Sequence, residues 1–209
     1  MKNTIKYLSV VLSLICFSSS TLADEISGKI TFVKKPSFTG ILYVSDTQGN
    51  AKKPLIDQQG KAFTTKVAVG SPNDVITFKN SDTFDHNIYA SDRKQNVKFD
   101  VGLMTPNNAT DLNIDWADNS LIRIGCKIHP KMRSYIANIN SDYFHAFEFE
   151  KKVKEYDFSI SDVPSDKNQV VLLMPKYQPQ TIEIKKGETK TVDITRKGKV
   201  KGSLTITRK

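Results

Sequence analysis

The chain has 209 residues, of which 38% are hydrophobic, with 31 Lys and Arg against 22 Asp and Glu and a formal net charge of +9. That length supports one or two small domains with real cores rather than a large enzyme. Three histidines and two cysteines leave room for only one small metal site.

Met1 to Ala23 carries Lys2 and Lys6, an apolar run from Tyr7 to Phe17 and then Ser18-Ser19-Ser20-Thr21-Leu22-Ala23, the features of a secretory signal peptide. The run is too short to span a bilayer, and no later segment is apolar for long enough. An exported, periplasmic protein without membrane insertion is therefore expected. Cys16 lies inside this segment and follows Ile15, not the small residue of a lipoprotein signal. Removal of the segment leaves Cys126 as the single thiol and a net charge of +7. A lone thiol cannot form an internal disulfide, and in an oxidising compartment it is a liability that burial or a metal bond removes.

After the signal, nearly every ordered stretch reads as strand. Ile26 to Val33, Ile41 to Val44, Val67 to Val69, Val75 to Phe78, His86 to Ala90, Leu112 to Trp116, Ser120 to Ile124 and Ser134 to Ile139 are short, β-branched or aromatic, and separated by turn residues. No segment holds a 3.6-residue apolar period, so the fold class is all-β, a sandwich or Greek-key barrel. Beyond Ile139 the period-two pattern continues through Phe147 and Phe149, Phe158 and Ile160, Ile182 and Ile184, and Leu204 and Ile206. The division expected is 1–23 signal, 24–141 a metal-binding domain and 142–209 a small second β-sandwich. The latter is thin, so Ile26 to Val44, within residues 24–50, is expected to add strands to it. Met174 reads as core filler, and Met104 as a loop methionine without an assignment. The densest basic cluster is in the tail, at Arg196, Lys197, Lys199, Lys201, Arg208 and Lys209. It has no interleaved aromatic residues, so it reads as a solvated face and not as a nucleic-acid site.

The chemistry concentrates in Gly125-Cys126-Lys127-Ile128-His129-Pro130-Lys131-Met132, with His86 upstream in Asp85-His86-Asn87. A thiolate at Cys126, imidazoles at His86 and His129, and a thioether at Met132 form the ligand set of an electron-transfer copper site, with two imidazoles and a thiolate in plane and a weak axial sulfur. Zinc accepts the first three donors, but its structural sites close with a fourth Cys or His. The Cys-x2-His-x2-Met spacing lets one tight loop, delivered by the strand ending at Gly125, present three donors to one ion. Four protein donors leave no open position for substrate, so electron transfer and not catalysis is expected.

This loop, with proline after the histidine, resembles the amicyanin-like ligand loop of the cupredoxin, or type 1 blue copper, family. Over a longer span, Phe78-Lys79-Asn80-Ser81-Asp82, His86-Asn87 and Gly125 to His129 resemble the two-domain cupredoxins of the methylamine-utilisation type. The resemblance implies a cupredoxin Greek-key β-sandwich followed by a second small sandwich, Ig-like or carboxypeptidase-regulatory-like. It implies one copper ion, held by His86, Cys126, His129 and Met132. It also implies that Asn87 ties the histidine loop to the cysteine loop, with help from Asn80 and Ser81, and that His129 is the electron's exit. Lys131 and Arg133 then flank the docking surface for a redox partner, a cytochrome or dehydrogenase with an acidic face. A periplasmic copper-binding protein for tolerance or delivery is the alternative, and an exported scaffold with a vestigial site is a third reading.

Overall fold

The computed structural model describes residues 23–209, so the signal reading falls, apart from Ala23, outside the described residues. Those residues form seventeen strands and no helix. In chain order they are β1 (Asp24–Phe32), β2 (Thr39–Val44), β3 (Leu55–Gln59), β4 (Ala62–Phe63), β5 (Ala68–Gly70), β6 (Val75–Asn80), β7 (His86–Asp92), β8 (Val97–Met104) and β9 (Ala109–Asn113). Then follow β10 (Ser120–Gly125), β11 (Arg133–Asn138), β12 (Phe144–Glu148), β13 (Glu155–Val163), β14 (Gln169–Leu173), β15 (Gln180–Glu183), β16 (Thr189–Arg196) and β17 (Lys199–Arg208).

Two sandwiches result. In the first, a five-stranded sheet ordered β5-β11-β10-β7-β8 faces a four-stranded sheet ordered β4-β3-β6-β9. Ile56, Phe78, Ile88, Ile122, Ile124 and Ile136 fill the space between them. In the second, the sheets β13-β1-β17-β16 and β12-β2-β14-β15 enclose Ile30, Leu42, Phe158, Leu172, Ile194 and Leu204. The N-terminal strands β1 and β2 therefore lie in sheets with the C-terminal strands, β1 between β13 and β17 and β2 between β12 and β14. Met174 is packed in this second core.

The sandwiches stack on one another. Strand β2 is buried at every position. Its alternation sends Leu42 and Val44 into the second core, and Ile41 and Tyr43 into a third cluster with Tyr135, Ala137 and Ile139 of the β11 region. A strand covered on both faces reads as a continuous apolar run, as Gly40-Ile41-Leu42-Tyr43-Val44 does. Strand β11 is the corresponding element of the first sandwich. Its Ile136 enters one core, while Tyr135 and Ala137 face the second sandwich.

The structure corrects the sequence reading at four places. Strands β3, β4 and β8 were not expected. Met104 closes β8 opposite His86 and is no loop residue. The strand expected at Leu112 to Trp116 is β9, which ends at Asn113. Arg208, assigned to a solvated basic tail, is fully buried. Its guanidinium donates to Asp24 Oδ2 at 2.9 Å and to the carbonyl oxygens of Pro164 and Lys167.

Candidate metal site

Strands β7 and β10 pair antiparallel, with Gly125 opposite Tyr89. The register brings the start of β7 and the end of β10 to the same edge of the sandwich, so His86 and Cys126 emerge side by side. The loop from Cys126 to Met132 then turns back into β11. Two hydrogen bonds close it: the His129 N–H donates to Cys126 Sγ at 3.4 Å, and the Met132 N–H to the His129 carbonyl at 2.9 Å.

Three donor atoms converge. His86 Nδ1 lies 3.0 Å from His129 Nδ1 and 3.8 Å from Cys126 Sγ, and His129 Nδ1 lies 4.0 Å from the same sulfur. Among the described residues this is the one cluster of His, Cys and carboxylate side chains with metal-ligand spacing. A triangle of these three sides has a circumradius of about 2.1 Å, within the roughly 2.0–2.3 Å of first-row metal bonds to imidazole and thiolate. Two imidazole nitrogens facing each other at 3.0 Å repel through their lone pairs unless a proton or a metal ion lies between them. The donor set thus fits a thiophilic, imidazole-binding ion such as copper.

Burial orders the donors. His86, Cys126 and Met132 are buried, whereas His129 is partly exposed. Met132 is 3% exposed yet belongs to none of the three apolar clusters, so its burial comes from the loop and not from a hydrophobic core.

A layer of hydrogen bonds fixes these side chains. Asn87, cross-strand neighbour of the 126–127 backbone, accepts the Lys127 N–H on Oδ1 at 2.7 Å and donates from Nδ2 to Asp100 Oδ1 at 3.2 Å. Asn80 is fully buried and donates to the carbonyls of Phe84 and Met104 at 2.9 and 2.8 Å, which anchors the approach to His86. The Ser81 N–H is spent on Asp57 and the Gln58 carbonyl, so its backbone ties that approach to β3.

Two carboxylates were missed by the sequence reading. Asp82 Oδ2 lies 3.1 Å from His86 Nε2. The backbone N–H of Lys61 at 2.7 Å is the chief cause that holds the Asp82 carboxyl below its usual range, with His86 and the Thr83 N–H assisting against burial. An ionised Asp82 accepts from His86 Nε2–H and leaves Nδ1 with its lone pair toward Cys126, the tautomer a metal requires. Asp100 pairs with the Lys127 ammonium, which is the main cause of its lowered pKa, and it also accepts the Gly102 N–H. Asp82 sits four residues before His86, and that spacing was the available signal. Asp100 reaches the site only through β7–β8 pairing, so nothing local marked it.

The exposed residues on the segments that hold the donors are mixed. Phe84, Leu103 and Ile128 are among the exposed large hydrophobic residues and all lie on the segments that carry or face the donors. Lys131 is exposed. The Arg133 guanidinium instead lies over the Phe38 ring at 4.1 Å.

No family model matches the sequence, and no curated protein matches it. The fold is similar to a purple cupredoxin from Nitrosopumilus maritimus, at 14% identity and a TM-score of 0.35, over 43% of this chain and 99% of that one. It is similar also to the Cu(I) form of an amicyanin mutant, at 15% identity and a TM-score of 0.36, over 46% of this chain and 97% of that one. A copper-containing nitrite reductase from Thermus scotoductus overlaps 42% of this chain and 22% of its own length, at 18% identity and a TM-score of 0.37.

Proposed function

We propose that this protein is an exported, mononuclear type 1 copper protein of the cupredoxin kind and that it carries electrons between periplasmic redox partners. The observation that carries the reading is the convergence of His86 Nδ1, His129 Nδ1 and Cys126 Sγ on one point, with Met132 buried in the same loop. A single ion held by His86, Cys126, His129 and Met132 supplies one-electron exchange between Cu(I) and Cu(II).

The chain's part is to keep that exchange cheap in reorganisation. Asp82 orients His86, Asn87 clamps the cysteine loop to β7, and the His129 N–H bonds to the sulfur, so the donors stay put whatever the charge between them. Burial of three donors favours retention of the ion over its delivery, which argues for electron transfer against a copper-donor role. His129 is the donor nearest solvent and is therefore the expected port. Ile128, Leu103 and Phe84 offer an apolar contact for a redox protein, and Lys131 adds positive charge suited to an acidic face. Among the described residues no helix is long and apolar enough to cross a membrane.

The test is the optical spectrum of the copper-loaded protein. An intense visible sulfur-to-copper charge-transfer band is expected, and Cys126→Ser should remove it. Copper bound with only the faint colour of a nitrogen and oxygen site would overturn the assignment of Cys126.

A further inference from the structure

Where the two sandwiches meet, a cleft of about 860 Å³ opens beside β11. Eight Lys and Arg residues line it against one carboxylate, Glu150. The cations come from separate parts of the chain: Lys35 precedes β2, Lys66 precedes β5, Arg123 and Arg133 sit on β10 and β11, and Arg196 ends β16. None of the eight side-chain charges lies within 4.0 Å of a carboxylate among the described residues, although ten Lys or Arg pairs of that kind form elsewhere.

Two of the heads, those of Lys66 and Arg133, are held by other means. Lys66 Nζ donates to the Phe149 carbonyl at 2.9 Å and lies 5.8 Å from the centre of the Phe38 ring, the ring that Arg133 covers. Tyr135 and Tyr177 also line the cleft, and neither hydroxyl has a hydrogen-bond acceptor among the described residues. Burial raises both phenols, Tyr135 against the pull of Arg123 and Arg133 and Tyr177 against that of Arg196, so each keeps its proton as a donor.

Like charges gathered on low-dielectric walls repel one another and focus a positive potential into the space between them. An anion with one charge would relieve little of it. We propose that this cleft binds a small polyanion carrying two or more phosphate or carboxylate groups, gripped by arginines from both sandwiches and by the two phenolic donors. The volume falls within the roughly 300–1,000 Å³ of small-ligand sites, and guanidinium forks match either anion bidentately. The proposal stands apart from the copper reading, since it uses none of the four metal donors.

Isothermal titration of the metal-free protein with tripolyphosphate and with citrate, at one ionic strength set with sodium chloride, tests it. Saturable one-to-one binding of at least one of them is expected, and the two arms decide between phosphate and carboxylate. Arg123→Gln with Arg196→Gln, one residue from each sandwich, should weaken binding at least about tenfold. Lys35→Gln with Lys151→Gln, on exposed side chains, gives a second pair with the same expected direction. Lys94→Gln with Lys185→Gln removes equal charge away from the cleft and should change affinity less than about twofold. Equal weakening by the cleft and control pairs would reduce the effect to net charge. That result, or saturation by neither anion, overturns the proposal.

Discussion

Replacing Asn87 by Ala should loosen the cysteine loop before any metal is considered. The side chain is 6% exposed, and its Oδ1 is the acceptor of the Lys127 N–H at 2.7 Å. Alanine removes that bond and the one to Asp100, and strands a partly buried amide. A lost hydrogen bond with an unsatisfied partner costs about 1–3 kcal/mol, so the apo protein should lose about 2 kcal/mol. The competing explanation for loop order is the Lys127–Asp100 ion pair. Its side chains are 62% and 38% exposed, so solvent and salt screen it. Asp100→Asn, which keeps an acceptor for the Asn87 amide, should therefore cost less than Asn87→Ala. Urea unfolding of the metal-free proteins measures both, with a lowered midpoint and an unchanged slope expected for Asn87→Ala. In the copper-loaded protein the same change should weaken metal affinity about 10- to 100-fold. If Asn87→Ala leaves the apo midpoint unmoved, or if Asp100→Asn is the more damaging change, the clamp is not where the hydrogen bonds put it.

Three further outcomes are expected. Met132→Leu should keep copper and raise its potential, because an axial thioether tunes more than it holds; voltammetry reads the shift, and an empty site would refute the ligand geometry. Asp82→Asn should also raise the potential, since a carboxylate on His86 Nε2 enriches the imidazole and stabilises the oxidised ion; a potential unchanged against wild type would remove Asp82 from the site's electrostatics. Arg208→Met leaves Asp24 buried with only Lys186 to pair it, and should cost about 3 kcal/mol or more by thermal or urea unfolding. Lys186 first, then Arg208, depresses the Asp24 pKa, so this stabilisation is present above the usual carboxylate pKa and is lost as the pH falls below about 4. An acid-unfolding midpoint identical in wild type and Arg208→Met would contradict it.

The convergence of Cys126 with His129 was legible because it is local: the two sit three residues apart on one turn, and no packing is needed to see that they can meet. The strand that carries His86 was legible as a short run with Ile88 and Tyr89 between turn residues. Strand β3 was not, because its inward positions are Ile56 and Gln58, and a glutamine cannot advertise a core face. Gln58 is fully buried and donates to the Lys79 carbonyl and toward Met104 Sδ, a polar plug in an apolar layer. Strand β8 was hidden by Gly102, at φ +78°, which reads as a turn and lies inside the strand beside the register shift opposite Asn87. Arg208 misled in the opposite sense, since a basic residue next to a chain end is ordinarily solvated, and only the return of β17 beside β1 gives it Asp24 as a partner.

Charge shows the same division between chain order and space. The tail cluster drew attention because its lysines and arginines are adjacent in sequence, yet one of them is buried in an ion pair and only Arg196 joins the cleft. The cleft's cations span Lys35 to Arg196 and come together because β2 lies over β11, with Ile41 and Tyr43 against Tyr135 and Ala137. That contact does two things at once. It covers the outer face of the sheet that carries the candidate ligand loop, so β11 is buried from Ser134 to Asn138, directly after the exposed Arg133 that follows Met132. It also brings Arg123 and Arg133 of one sandwich opposite Lys176 and Arg196 of the other, a concentration of like charge that a lone sandwich would disperse into solvent. A second sandwich that served only to stiffen the first would gain nothing from eight cations without carboxylate partners at the seam, and their gathering there is what favours the proposed ligand at the junction over a purely structural role for it.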